Sequence, residues 1–383
     1  MRFLSQKIRS RRYAMKITEL EIRCCRRESG QFTKSSHRTG DFSSFDFLVV
    51  TLATDEGLRA STFGAASRSA EGAGLLIAEA MRGFLLGRDP LDRERAWHDF
   101  RTQDRWWTHL PIFAYGPIDT CQWLLGAQAA NQPLYKYIGA YRDEVPTYGS
   151  SMVLPDAAAY AEEAIRAKTM GLKAYKLHPP GRSFEEDLEA HRLVREAVGP
   201  EFVLMSDPVS SFNLEEAIRF GRELEKLNYL WFEEPIFDEN FHALKELTRQ
   251  LEIPVVGTEV LARHPYSVAE CIKSRVVDRV RADVSWTGGV TGVMKTARLA
   301  EAFGVNCEIH TAIFHSAELI NLHCCAAMKN CDYFELLFPI EEFAFGLAAP
   351  LPVENGIARL PQSAGAGIDL DWDEIDRCTL RIV

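Results

Sequence analysis

With 383 residues, 46% of them hydrophobic and 26% charged, the chain can build one large core or a large domain with a smaller companion. That balance excludes a disordered chain, a fibrous repeat and a disulfide mini-scaffold. Lys and Arg number 44 against 54 acidic residues, and the formal charge of -10 repels nucleic-acid backbones. No apolar run approaches the length of a membrane span, so neither nucleic acid nor membrane is an expected partner. An anionic small molecule stays open, because a bound cation reverses the sign locally.

The first fourteen residues, MRFLSQKIRSRRYA, are basic and lack the apolar stretch of a secretory signal. They read as a disordered extension or as sequence upstream of a start at Met15, with a transit peptide as the alternative. From 15 to 142, MKITELEIRCCRR and FDFLVVTLATDEG are β-like, the second ending in a hairpin turn. Three helical stretches follow: GAGLLIAEAMRGFLLG, PLDRERAWHDFRT and PIDTCQWLLGAQAANQPLYKYIG. Strands followed by helices predict a separate α+β domain. The polar loop 30–44 reads as a flap over a substrate, in which Lys34, His37 and Arg38 either touch the substrate's far end or form a solvated cluster.

From 143 to 347 short β-type runs alternate with amphipathic stretches. The runs VPTYGSSM, KAYKLH, FVLMSD, YLWFEE, PVVGTE, RVRAD, NCEIH and DYFEL, with seven helical segments between them, predict a parallel α/β fold closed into a barrel. Asp156 and Asn213 stand where helix N-caps belong. The Pro- and Gly-rich tail, 348–383, holds one hairpin-like piece. Nine Cys, an odd count without a CxxC pair, suit reduced buried thiols and a cytoplasmic setting.

Ionisable residues finish these runs: Lys176 and His178, then Asp207, Glu233, Glu259, Asp283, His310 and Glu335, the last six recurring every 24 to 27 residues, one β/α unit. In a barrel such ends ring one mouth, where the fold places its chemistry. Charges there are costly to bury unless they pair or bind an ion. Asp207, Glu233 and Glu259 offer three hard oxygens with no thiolate or imidazole, a donor set for Mg²⁺, with Mn²⁺ next, rather than Zn²⁺. Lys176 and His178, two apart, share one strand face, and Lys173 and Tyr175 take the other. Asp283 and His310, on adjacent strands, pair a carboxylate with an imidazole as a general base requires.

Together these pieces resemble the enolase superfamily, in its mandelate racemase-like subgroup. The resemblance covers nearly everything from Met15 onward and rests on YGPIDTCQWLLGAQAANQPLYKYIG, KAYKLH, WFEEP, GTEV, ADVSWTGGVTG, FGVNCEIH and YFEL. It implies an α+β capping domain over a modified TIM barrel, (β/α)₇β, a tail returning to the cap, and a homo-oligomer. By position it implies Asp207, Glu233 and Glu259 as Mg²⁺ ligands, Lys176 and His178 as one acid/base pair, Asp283 and His310 as the opposing dyad, and Glu335 as a contact for the bound carboxylate or enolate. Two departures stand out. The usual Lys-x-Lys is Lys176-x-His178, handing the basic role to an imidazole that needs little pKa adjustment. The usual Asp-x-Asn is Asp207-Pro208-Val209, without an amide.

The implied reaction removes the proton next to a carboxylate, with Mg²⁺ stabilising the enediolate and His310 or His178 as base. With a β-hydroxyl to expel, the outcome is dehydration of a sugar acid to a 2-keto-3-deoxy acid. Without one, reprotonation makes the protein a racemase or epimerase. A non-catalytic sugar-acid or metal binder is a third reading. A metal-dependent barrel hydrolase fits less well, since the trio lacks His.

Overall fold

The computed structural model describes residues 15–28, 44–66, 69–107, 110–260, 264–311 and 315–383. The expectations for 1–14 and for Lys34, His37 and Arg38 fall outside these residues.

The N-terminal part pairs β1 (Ile17–Glu28) with β2 (Ser44–Thr54), and β2 with β3 (Arg59–Ala65), all antiparallel. The predicted turn closes where the Gly57 N–H donates to the Thr54 carbonyl, 3.1 Å. Helices α1 (Ala70–Leu85), α2 (Arg93–Trp107), α3 (Ile112–Ala129) and α4 (Leu134–Ile138) follow. The single helical stretch expected from Pro117 to Gly139 is two helices. The backbone turns left-handed at Asn131 (φ 52°), and Pro133 cannot continue the α3 ladder.

The barrel then runs in strict alternation: β4 (Glu144–Ser151), α5 (Ala157–Thr169), β5 (Ala174–Leu177), α6 (Phe184–Val198), β6 (Val203–Ser206), α7 (Leu214–Lys226), β7 (Phe232–Glu233) and α8 (Phe241–Gln250). It continues through β8 (Val255–Gly257), α9 (Pro265–Lys273), β9 (Arg279–Ala282), α10 (Gly289–Ala302), β10 (Cys307–Ile309), α11 (His315–Ala326) and β11 (Phe334–Phe338). Asp156 and Asn213 cap α5 and α7 as predicted, Asn213 in a reciprocal capping box with Glu216. Strands β4 to β10 lie parallel in sequence order, and β11 pairs parallel with β4. At the closure the Thr311 N–H and hydroxyl both bond to Glu335, at its carboxylate and its carbonyl, each 3.2 Å. Inside the barrel, Tyr148, Ala174, Met205, Trp231 and Val256 form a small buried cluster, distinct from the main core between strands and helices. The charged mouth rests on this plug.

A short helix α12 (Ile340–Phe343) leads into the tail. There β12 (Val353–Glu354) and β13 (Ile357–Arg359) make the expected hairpin, and β13 also pairs antiparallel with the start of β4. Helix α13 (Trp372–Cys378) and β14 (Thr379–Ile382) end the chain, β14 pairing with β1 in the cap sheet. All nine cysteines are free thiols and eight are buried.

Helix α3 is tied to the barrel at the start of α10. The N-cap of α10, Gly288, has no side chain to offer, and the Asp119 carboxylate of α3 accepts from the Thr291 N–H at 2.8 Å instead. The approach is close enough that a Cβ on Gly289 would lie 2.5 Å from Asp119 Oδ2 and one on Gly116 would lie 2.6 Å from the Val284 carbonyl. Burial pushes the Asp119 carboxyl up to about 7, outweighing the Thr291 bonds that hold it down. A carboxyl raised on folding stabilises below its unfolded value and loses that contribution as pH rises through about 7. Asp119→Asn keeps the acceptor without the charge. The melting temperature of this variant relative to wild type is therefore expected to climb from pH 5 to pH 8 in calorimetric scans, whereas a pH-independent difference would contradict the buried ionisation.

Candidate active site

The mouth is built from strand ends. Asp207 follows β6 directly, Glu233 ends β7, Glu259 lies two residues past β8, and Asp283 and His310 follow β9 and β10. One oxygen from each of Asp207, Glu233 and Glu259 falls within 4.8 Å of the other two. Asp207 and Glu233 are buried and Glu259 is nearly so. Burial, reinforced by Glu234, Glu233 and Asp207, pushes the Glu259 carboxyl well above its ordinary range. Burial also drives Glu234 up to about 8, with Asp238 and Asp207 adding repulsion. Crowded, largely buried oxygens drawn only from carboxylates fit a hard divalent cation.

Cations surround the trio. Lys176 Nζ lies 3.3 Å from Asp207 Oδ2, 3.1 Å from Glu233 Oε2 and 2.8 Å from Glu335 Oε1. Burial alone lowers the lysine, but Glu233 and Glu335 overcome it and hold the ammonium well above its usual range. His178 Nε2 lies 3.0 Å from Asp207 Oδ2. Burial raises Asp207, yet His178 and Lys176 win and keep it a carboxylate. The His178 Nδ1 lies 2.6 Å from the Ser151 carbonyl, which can only accept, so Nδ1 carries the proton and Nε2 faces the trio. As expected, Tyr175 points away, donating to Glu163 on α5 at 2.8 Å.

Across the trio, His310 Nδ1 lies 2.6 Å from Asp283 Oδ2 and Nε2 lies 3.1 Å from Glu259 Oε1. The other Asp283 oxygen accepts the Trp286 N–H at 2.7 Å. Asn321 on α11 joins the two strand ends, donating to the His310 carbonyl and accepting from the Val284 N–H, each 3.0 Å.

Glu335 departs from its expected place. It is the second residue of β11, which runs on to Phe338, rather than the strand's end. The register sets Glu335 beside Tyr148 and Tyr148 beside Ala174, two residues before Lys176, so its backbone starts two residues deeper along the strand than that of Lys176. There it meets a residue that the sequence reading missed. Arg281, fully buried on β9, places Nε 2.7 Å from Glu233 Oε1 and Nη2 2.6 Å from Glu335 Oε2. The signal was available, since Arg281 is two residues before Asp283 and shares its strand face.

Four residues other than Gly near these ends adopt positive φ: Val209 (50°), Ser210 (57°), Glu234 (36°) and Thr258 (75°). Such conformations gather where a surrounding site imposes them. The missing amide at 209 takes on meaning here, because Asn tolerates a left-handed backbone that a β-branched residue resists. The Val209 N–H nonetheless holds Asp207 Oδ1 at 3.1 Å.

Residues 159–374 match the family described as Enolase C-terminal domain-like. The arabinonate dehydratase of Saccharolobus solfataricus is 30% identical over 262 residues, 67% of this chain and 70% of that one. The N-succinyl-L-Arg/Lys racemase of Bacillus cereus is 25% identical, over 89% of this chain and 92% of its own. Among solved structures, D-glucarate dehydratase from Agrobacterium tumefaciens complexed with magnesium superposes with a TM-score of 0.84 at 32% identity, covering 96% of this chain and all of that one. Sugar-acid dehydration and racemisation thus both occur among its relatives.

Proposed function

Since this chain belongs to the Enolase C-terminal domain-like family, we propose that it abstracts the proton α to a carboxylate and dehydrates a sugar acid to a 2-keto-3-deoxy acid. The observation that carries the reading is the carboxylate trio with a proton-handling group on either side, the His310–Asp283 dyad and the Lys176–His178 pair. Asp207, Glu233 and Glu259 would hold Mg²⁺, which when bound supplies Lewis-acid stabilisation of the charge developing on the substrate carboxylate. His310 presents Nε2 toward the trio and takes the α-proton, and Asp283 steadies the imidazolium that results. From the other side, protonated His178 or Lys176 gives a proton to the departing β-hydroxyl, which leaves as water. The enol left behind ketonises to the 2-keto acid.

The test is a screen of mono- and diacid sugars with Mg²⁺ in D₂O, reading keto acid and α-deuteration separately. Keto acid is expected. Deuterium on recovered or inverted acid without keto acid would overturn dehydration and favour the second reading, a racemase or epimerase, which the same two-sided geometry supports.

The metal assignment has its own check. Mg²⁺ at a hundred times its dissociation constant is expected to stabilise the protein by about 2.7 kcal/mol. Glu259→Gln should abolish most of the matching rise in melting temperature. An undiminished rise in that variant would place the ion elsewhere.

A further inference from the structure

We propose that Trp286 is a positioning residue for the His310–Asp283 dyad, a role that rests on the proposed use of His310 as the base. The indole stacks on the His310 ring, centroids 4.9 Å apart and planes 27° from parallel. The same residue's N–H donates to Asp283 Oδ1 at 2.7 Å, while Asp283 Oδ2 holds His310 Nδ1 at 2.6 Å. One residue thus grips both members of the pair, the carboxylate through its backbone and the imidazole through its ring.

The local chain explains why. After β9 the backbone turns tightly, with the Thr287 N–H on the Asp283 carbonyl at 2.9 Å and the Thr287 hydroxyl accepting from the Asp283 N–H at 3.1 Å. That turn carries residue 286 back over the end of β10. The Nδ1 bond to Asp283 and the Nε2 approach to Glu259 hold two edges of the imidazole but leave the ring plane free to tilt about the line between them. A flat surface lying on its face removes that freedom, so Nε2 keeps its aim at the trio. Proton transfer is sensitive to such aim, and a displacement of about 1 Å costs on the order of 10²-fold in rate.

The contribution of the ring separates from that of the backbone by substitution, because the N–H to Asp283 survives any side-chain change. Trp286→Phe retains an aromatic face, and Trp286→Leu fills space without one. In the metal-free protein with ¹³C-labelled histidine, the His310 ring signals, assigned by their loss in His310→Asn, are expected to be shifted upfield by the indole. Phe should keep part of that shift and Leu should lose it. With an acid that exchanges deuterium, Leu is expected to lower kcat by about 10- to 10²-fold with KM within a few-fold, and Phe to recover most of the loss. His310 signals indifferent to Leu, or a Leu variant with unchanged kcat, would overturn the proposal. Failure of every acid to exchange in wild type would instead defeat the functional reading, while the histidine signals still decide the geometry of the stack.

Discussion

His310→Asn is expected to slow α-deuterium exchange and keto-acid formation by about 10²–10⁴-fold, the usual contribution of a positioned base. The amide can still donate to Asp283 Oδ2, now 2.6 Å from His310 Nδ1, but it has nothing at the Nε2 position to receive a proton. The trio itself is untouched, so the stabilisation by Mg²⁺ should persist. Asp283→Asn should also lose activity while keeping its imidazole, because the amide no longer fixes Nδ1–H as the carboxylate does. Wild-type exchange rates in His310→Asn would remove that histidine from the mechanism.

Arg281→Met is expected to destabilise the metal-free protein by about 3–5 kcal/mol in urea titration, the range for breaking a buried ion pair by deleting one partner. Arg281 is fully buried and bridges Glu233 to Glu335, with its Nη1 also donating to the Ile309 carbonyl at 3.1 Å. Without it Lys176 alone neutralises the two carboxylates. Arg281→Lys should fall between, keeping charge but not the fork that reaches both at once. A loss below about 1 kcal/mol in the Met variant would mean that the guanidinium is dispensable to the ring.

What the sequence made readable followed from local periodicity. A β/α unit of 24 to 27 residues is enough to set Asp207, Glu233, Glu259, Asp283 and His310 at one rim. The depth of Glu335 was not readable, because it depends on the register of β11 against β4, a long-range property. Arg281 was hidden by habit, an arginine in a strand ordinarily being a surface residue. The left-handed backbone at Val209 was hidden too, since valine is among the residues least suited to it. The break between α3 and α4 was signalled by Asn131 and Pro133 and is a matter of turn chemistry. The tail showed its hairpin, but nothing local told that β13 would join the barrel sheet and β14 the cap.

The carboxylate that α3 lends to the start of α10 constrains how the enzyme can open. Drawing cap and barrel apart as rigid bodies would strip the Thr291 N–H of its acceptor and break the Trp123 Nε1–H bond to the Thr291 hydroxyl, 2.8 Å, in the same movement. Any such separation would therefore forfeit two hydrogen bonds at once, each worth about 0.5–1.5 kcal/mol, at the junction of α3 with α10.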